Sequence, residues 1–476
     1  MSRFKAAAVH GSPAWDGHQN PMRPPVATMP SEPAKTPPPP VSNISQRATP
    51  FGLILMVFGV LLLANHLGRP FEHVLVGLRI PAVICGLGIL VAVFFALSAF
   101  RTKAGKAMAL LVCWMLLIIP LSTWKGGSAT YMLSYIKFWV VLFMILACGP
   151  KTFRQLSFLA NTTAIAAIVN IYIAGRFDTQ ERFNMEGTFG NSDDAAILAG
   201  FAIPFWLFFS SRFHPFIRPV LALAGTAFLL RIIILTATRS ILISLACLFM
   251  VWLVRRTMAQ RAIAIVLMVA AAGLLLATAP QSVRDRLATT FDAFSTTREN
   301  ATSDEASYSA AERRELLKDG ILTTLSHPIW GVGPGQFAQY RWSALSKPGE
   351  VKRSFKTHNT YVQMSAENGI PSLLLYLVVI WATFKTISRA RKASATQSSP
   401  GLAVAFQLAS CMELALAFFA VTALFMTIEA HPYLFILAGL AAANERLVQA
   451  ELTRMQPPVQ PSLPSGRWGP TFVGGA

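Results

Sequence analysis

Apolar residues follow one another in long runs along most of this 476-residue chain. Short polar connections separate these runs, and one long polar segment precedes the tenth. A helix needs about 20 apolar residues to cross a bilayer, and lipid cannot satisfy an open backbone. The pattern therefore predicts an all-α polytopic membrane protein with about twelve transmembrane helices, at 51–66, 80–99, 107–124, 131–149, 155–175, 194–211, 217–237, 240–255, 261–279, 370–387, 403–427 and 431–447.

Composition supports this class of protein. Hydrophobic residues make up 54% of the chain and charged residues only 13%, whereas soluble domains carry about a quarter charged residues. The formal charge is +19, which in a soluble protein favours a nucleic-acid partner. Here the basic residues lie mostly in short loops, as membrane topology requires. We therefore expect membrane lipids as partners and no nucleic acid.

The polar segments divide the chain into five parts. Residues 1–50 are rich in proline and predict a disordered cytoplasmic tail, and 451–476 predict a second one. Helices 1–9 occupy 51–279 and helices 10–12 occupy 370–450. With the N-terminus in the cytoplasm, fourteen basic residues fall in inner loops and six in short outer loops. This excess places 280–369 outside, as a large helical periplasmic loop at a bacterial inner membrane.

The outer segment has a pattern of its own. The stretch AERRELLKDGILTTL places leucines at helical spacing and predicts an amphipathic helix that ends at the turn SHPIWGVGPGQF. A second helix is expected from about Thr357, with a break at Gly369 and Pro371. The three glycines of the turn resemble a dinucleotide fingerprint only superficially, because no strand precedes them. A tight structural turn is the favoured interpretation.

One histidine of this segment suits proton transfer. An imidazole that titrates near neutral pH accepts a proton from a sugar hydroxyl, and His358 lies at the start of a predicted helix just outside the membrane. Asn359, Tyr361 and Glu367 follow it as supporting residues. A lone histidine at a helix start also fits a cap or surface residue. His327 is a competitor, although the proline after it fits a turn better.

Arginines provide the positive charge that a diphosphate requires. Arg239 lies at the outer mouth between helices seven and eight, and Arg313 and Arg314 begin the amphipathic helix. Arginine binds phosphate oxygens in a bidentate way. Taken singly, Arg239 also fits interfacial snorkelling, and Arg314 fits a solvated helix face.

Further charges lie within or beside the predicted membrane spans. Lys137 and Arg231 sit inside spans, where a charge usually has a partner or a function. Arg231 is two helical turns below Arg239 and is expected to line the same cavity. Asp193 and Asp194 fit partners, metal ligands or helix N-terminal charges, and the last is favoured for at least one of them. We identify no metal site and no cofactor.

Three stretches resemble the O-antigen ligase and polymerase superfamily. They are GTFGNSDDAAILAGFAIP, TATRSILISL and the block from Arg313 through HPIWGVGPGQF to THNTYVQMSAENGIPSLLLYL. The resemblance implies a C-type glycosyltransferase-like fold and inverting, metal-independent transfer of an undecaprenyl-diphosphate-linked glycan to an acceptor hydroxyl. It implies that His358 is the general base and that Arg239 and Arg313 bind diphosphate, with Arg314 as an out-of-register alternative. An aromatic residue common in the family is replaced by Leu317, and the long proline-rich N-terminus is atypical.

Several functions remain open at this stage. A ligase would use a lipid A-core acceptor, a polymerase would join carrier-linked repeats of O-antigen or exopolysaccharide, and a third enzyme of this kind would act on protein hydroxyls. An alternative of another class is a transporter or flippase, with Lys137 and Arg231 lining its path.

Overall fold

A computed structural model describes residues 50–67, 80–177, 192–254, 256–281, 283–284, 304–345, 356–396 and 398–456. Every regular element in these residues is helical, which confirms that the fold is all-α. The predicted tails, 1–49 and 457–476, lie outside the described residues. The helices are α1 (Pro50–Leu67), α2 (Ile80–Phe95), α3 (Lys103–Leu117), α4 (Lys125–Tyr135), α5 (Val141–Cys148), α6 (Phe153–Phe177), α7 (Ser192–Ser210), α8 (Ile217–Leu235), α9 (Arg239–Val254), α10 (Met258–Ala277), α11 (Asp304–Ser326), α12 (Phe337–Tyr340), α13 (Thr360–Ala393), α14 (Pro400–Thr422) and α15 (Tyr433–Met455).

The chain is a multi-pass membrane protein. Each predicted apolar run coincides with a helix, and eight of the described helices are long and apolar enough to cross a bilayer. Several runs form helices that are too short, such as the 16-residue α2. The eight are Lys103–Leu121, Lys125–Cys148, Phe153–Ile173, Ser192–Ser210, Ile217–Leu235, Met258–Ala277, Thr360–Ala393 and Pro400–Thr422.

Burial divides the helices into central and peripheral ones. α7 and α15 are buried along most of their length and form the middle of the main core. α10 buries none of its residues, and its exposed apolar side chains include Ile263, Val266, Leu267 and Leu274. An apolar helix with no protein cover requires lipid as its solvent.

The long helix α13 is kinked at the predicted break. Gly369 has a φ of 78°, which is outside the helical region and is readily adopted by glycine. Pro371 follows and has no N–H to donate. The N–H of Ile370 leaves the helix and donates to the carbonyl of Pro328 at 2.8 Å. The kink therefore removes the helical donors of the carbonyls at 366–368.

These three carbonyls receive donors from elsewhere in the fold, as buried backbone groups require. Two of the donors come from the glycine-rich turn and the third from α3. The N–H of Val332 donates to Ala366, the N–H of Gly333 to Glu367, and the indole N–H of Trp114 to Asn368, at 3.0, 2.7 and 2.9 Å. The kink is thus the docking point of the turn that ends α11.

Glycine gives this turn its shape. Gly331, Gly333 and Gly335 all have positive φ, and a Cβ on Gly331 would collide with the backbone carbonyl of Glu367. The turn wraps around the Glu367 carboxylate, which accepts the backbone N–H of Gly335 at 2.9 Å and that of Phe337 at 3.3 Å. No strand precedes it in the described residues. The tight structural turn is therefore the right interpretation of these glycines.

One predicted boundary differs from the structure. The second helix expected from about Thr357 begins at Thr360, where Asn359 caps it, and its first ten residues lie before the kink as predicted. Residues 451–455, predicted as part of a disordered tail, belong to α15. Leu452 keeps that end helical by packing on the cluster of Leu402, Ala405 and Val448.

We predict that Gly369→Ala destabilises the protein, while Gly273→Ala does not. A left-handed conformation costs a non-glycine residue about 1–2 kcal/mol, and the new Cβ would collide with the carbonyl oxygen of Ile329. Gly273 lies in α10, where an added Cβ would meet nothing within 4 Å, so alanine there is neutral or stabilising by up to about 1 kcal/mol. Apparent melting temperatures in detergent measure both. Equal melting temperatures for the two variants would contradict the role of the kink.

Candidate active site

A carboxylate joins three separate parts of the chain. Asp193, in the first turn of α7, accepts a hydrogen bond from the Arg313 guanidinium of α11 at 3.0 Å. Its other oxygen accepts from the Thr238 hydroxyl at 2.8 Å. Thr238 lies in the turn between α8 and α9, immediately before Arg239. The bridge brings the outer segment onto the membrane helices at the point where α9 begins.

Arg313 has capacity left after this contact. Its side chain is 37% exposed, whereas that of Asp193 is 16% exposed. A guanidinium has five N–H donors, and within the described residues only one of those of Arg313 has a hydrogen-bond acceptor. The remaining donors of Arg313 are therefore available to an anion with several oxygens.

His358 lies beside this bridge. It precedes α13 and is half-buried. Burial, together with the positive charges of Arg313 and Lys356, lowers the pKa of His358 to about 4, while the Asp193 carboxylate opposes that shift. The imidazole is therefore neutral at physiological pH and able to accept a proton.

The backbone around His358 is held rigidly. Asn359 caps α13 by accepting the N–H groups of Tyr361 and Val362, and its amide donates to the carbonyl of Leu424 at 3.0 Å. Thr360 is fixed to the turn after α14: its N–H donates to Ala423 at 2.8 Å and its hydroxyl to Met426 at 2.7 Å. These bonds position the histidine independently of its own side chain.

Strained backbone flanks the site on two sides. Within the described residues, only His358 and Ala237 are non-glycine residues with positive φ, at 52° and 51°. Histidine tolerates this region better than most residues, but alanine does not. Ala237 lies two residues before Arg239. Strain of this kind persists only where the surrounding structure imposes it, and it concentrates at functional sites.

The predicted site residues separate into two groups. His358 and Arg313 lie around Asp193, and Arg239 follows Thr238, whose hydroxyl donates to that carboxylate. Arg314 is exposed on another face of α11, because successive helical residues point about 100° apart. It is therefore not part of the cluster.

The prediction for Arg231 is wrong in its geometry. α8 ends at Leu235, so Arg231 and Arg239 lie on different helices. Arg231 donates to the carbonyl and hydroxyl of Thr278, at 3.0 and 2.8 Å, and so satisfies the end of α10. A cation at a helix C-terminus is favourable. This contact explains the charge without a transport path.

The three predicted supporting residues of α13 and its cap hydrogen-bond to backbone groups of neighbouring segments. Asn359 is the helix cap described above. The hydroxyl of Tyr361 donates to the carbonyl of Ala420 on α14 at 2.9 Å. Glu367 holds the glycine-rich turn. All three shape the surroundings of His358 without joining the charged cluster.

Sequence reasoning missed two charged residues. Lys356 acts electrostatically on His358, Asp194, Glu429 and His431. Glu429 lies in the connection between α14 and α15 and is buried. Burial raises its pKa, and Lys356 opposes that rise. Glu429 could have been singled out in the sequence because it is an acidic residue in a short connection between two apolar runs.

A group of buried polar side chains includes Glu429. Within the described residues, one carboxylate oxygen of Glu429 and the hydroxyls of Tyr131, Tyr135 and Tyr376 are buried without a hydrogen-bond partner. All three tyrosines interact electrostatically with Glu429, so the four residues form one group. Buried polar atoms normally pair with protein or water. These four buried oxygens therefore have hydrogen-bonding capacity that the described residues do not use.

The architecture defines a multi-pass membrane protein with a cationic, histidine-containing site where α11 meets the membrane helices. Residues 224–377 match the family model described as O-antigen ligase. This match confirms the resemblance to the O-antigen ligase-related superfamily, whose members are membrane glycosyltransferase-like enzymes of polysaccharide biosynthesis. It contains Arg239, Arg313 and His358, but neither Asp193 nor Glu429. Curated proteins gave no match.

We predict that His358 makes stability depend on pH between about 4 and 6.5. In that window the unfolded chain binds a proton at this position and the folded protein does not, so stability is lost as the pH falls. His358→Gln should reduce the drop in apparent melting temperature between about pH 7 and pH 5.

The matched control is His214→Gln, at an exposed histidine in the turn between α7 and α8. It should retain the wild-type dependence on pH. A drop of the same size in all three proteins would show that His358 is not held in a buried, cationic environment.

Proposed function

We propose that this protein transfers a glycan from an undecaprenyl-diphosphate carrier to an acceptor hydroxyl, at the periplasmic face of a bacterial inner membrane. The observation that carries the proposal is the convergence of His358, Arg313 and the Thr238–Arg239 turn on Asp193. The match of residues 224–377 to the O-antigen ligase family supports it.

The donor diphosphate binds to the arginines in this proposal. Arg313 offers its unused N–H groups, and Arg239 approaches from the start of α9. Lys356 adds a third positive charge. Asp193 positions Arg313 before the donor arrives, so little reorganisation is needed on binding. These fixed cations stabilise the negative charge that develops on the leaving diphosphate.

His358 acts on the acceptor. The acceptor oxygen attacks the anomeric carbon as the bond from that carbon to the diphosphate oxygen breaks, and the configuration inverts. The imidazole takes the proton of the acceptor hydroxyl, and the carrier diphosphate leaves with the bonding electrons. A diphosphate beside Arg313 and Lys356 offsets their charge and raises the pKa of His358. Base strength therefore increases when the donor is bound.

In this proposal, the buried polar group around Glu429 binds the sugar hydroxyls. Its unpartnered carboxylate and tyrosine oxygens suit hydrogen bonds with a glycan. An acceptor on lipid A-core would make the protein an O-antigen ligase, and a second carrier-linked repeat would make it a polymerase. A protein hydroxyl would make it a protein glycosyltransferase.

The direct test is transfer by the purified, full-length protein in liposomes. Undecaprenyl-diphosphate glycan is mixed with lipid A-core, with a second carrier-linked repeat or with a hydroxyl-bearing peptide, and the labelled product is resolved on gels. We expect one acceptor to gain sugar. His358→Ala should lower the rate by at least about 100-fold, the usual minimum contribution of a general base. His214→Ala should leave the rate unchanged. Full activity of His358→Ala, in a correctly inserted protein, would refute the base assignment.

Neighbouring arginines provide a matched test of the diphosphate site. Arg313→Lys keeps the charge but loses the bidentate fork, so we expect kcat/KM to fall by about 10- to 100-fold. Arg314→Lys, the same change one residue on, should have less than a twofold effect. Equal losses in both variants, or a larger loss for Arg314→Lys, would contradict the proposed site.

A further inference from the structure

A cavity of about 700 Å³ lies at the opposite end of the helices from His358. α7 begins beside Asp193 and ends at Ser210, and Arg212 of the cavity follows it. α7 has 19 residues, which at 1.5 Å per residue span about 28 Å. This length is close to the thickness of the hydrocarbon core of a bilayer. The cavity therefore faces the membrane boundary opposite to the candidate active site.

A second helix gives the same placement. α14 ends at Thr422, next to the Ala423 carbonyl that accepts the N–H of Thr360 near His358. It begins at Pro400, and Pro400, Gly401 and Val404 line the cavity. The cavity is thus distinct from the glycan-transfer site and shares no residue with it.

The polar side of the cavity suits an anion. Arg154 and Arg212 line it, and both are exposed. The N-termini of α6 and α14 lie at its wall, and the positive end of a helix dipole favours negative charge. None of its lining residues is acidic.

Buried polar atoms also point to a ligand. Ser157 lines the cavity, is only 7% exposed, and its hydroxyl has no hydrogen-bond partner within the described residues. The side-chain oxygen of Asn161 is also buried without a hydrogen-bond partner within the described residues. Buried groups of this kind are normally satisfied by protein, water or ligand. Both residues line the cavity, and neither oxygen is satisfied by a described residue there.

The other side of the cavity is apolar and open to lipid. Met56, Phe153, Phe158 and Val404 line it, and Phe158 is 55% exposed on the membrane-facing side of α6. A small hydrophilic anion would gain nothing from these side chains. An amphiphile that carries a phosphate and an acyl chain would match both the cationic side and the apolar side of the cavity.

We propose that this cavity binds the phosphate head group of an anionic phospholipid, with Arg154 and Arg212 on the phosphate and the first acyl carbons against Phe158. The bound lipid joins α1, α6 and α14, which all contribute to the lining. The site does not depend on the proposed glycan transfer. The same phosphate chemistry is offered by free inorganic phosphate, so the experiment must distinguish the two.

The test measures lipid retention by the delipidated, full-length protein with native mass spectrometry. The probes are palmitoyl-oleoyl-phosphatidylglycerol, the matching phosphatidylcholine and inorganic phosphate as competitor. We expect phosphatidylglycerol to bind most tightly. Arg154→Gln/Arg212→Gln should weaken its apparent affinity by at least about tenfold, because each charge-assisted hydrogen bond contributes about that factor. The control Arg101→Gln/Lys106→Gln removes equal charge at exposed positions on the same face and should change the affinity less than twofold.

Three results would overturn the proposal. Equal weakening in both double variants would indicate general attraction of anionic lipid to a basic face. Unchanged binding in the Arg154→Gln/Arg212→Gln protein would exclude the cavity. Displacement of the lipid by inorganic phosphate at equal concentration would identify a free-anion site. If the double variant does not purify, Arg212→Gln alone changes only an exposed turn residue and should still weaken binding several-fold, and unchanged affinity there counts against the site.

Discussion

The negative charge of Asp193 determines how the outer segment meets the membrane helices. A mostly buried carboxylate is costly unless it is paired, and removing its partner is more costly than never burying it. Asp193 satisfies this requirement with Arg313 from the outer segment and Thr238 from the turn before α9. The pairing fixes an arginine at the mouth of the bundle. The pairing that the buried Asp193 carboxylate requires thus holds together the residues on which the proposed chemistry depends.

The kink in α13 supplies the other half of the scaffold. Gly369 and Pro371 release carbonyls that the glycine-rich turn and Trp114 then satisfy, so α11, α3 and α13 meet at a single point. At the start of the same helix, Thr360 is bonded to the turn after α14. His358 therefore sits in a strained conformation between fixed neighbours. The scaffold therefore fixes the backbone position of His358.

Local sequence patterns predict much of this fold, but they do not predict which distant side chains pair with one another. Runs of apolar residues located the helices, and Gly369 with Pro371 located the kink. The role of Asp193 remained open because an acidic residue at a helix start has several uses, and its partner Arg313 is 120 residues away. Arg231 was placed wrongly because helical spacing was continued through a turn at 236–238. Glu367 follows His358 in sequence, but its carboxylate faces the turn that it holds.

Arg313 and Lys356, the cations proposed to bind a diphosphate, also lower the pKa of the neighbouring His358. In the site without donor, burial and the charges of Arg313 and Lys356 keep the pKa of His358 low, so the imidazole is neutral but a poor proton acceptor. A diphosphate adds negative charge at the same place and reverses the effect of those cations. In the proposed reaction, His358 is therefore a stronger base after the donor has bound than before. In the proposed reaction, the same cations bind the leaving diphosphate and make the pKa of His358 depend on whether that diphosphate is bound.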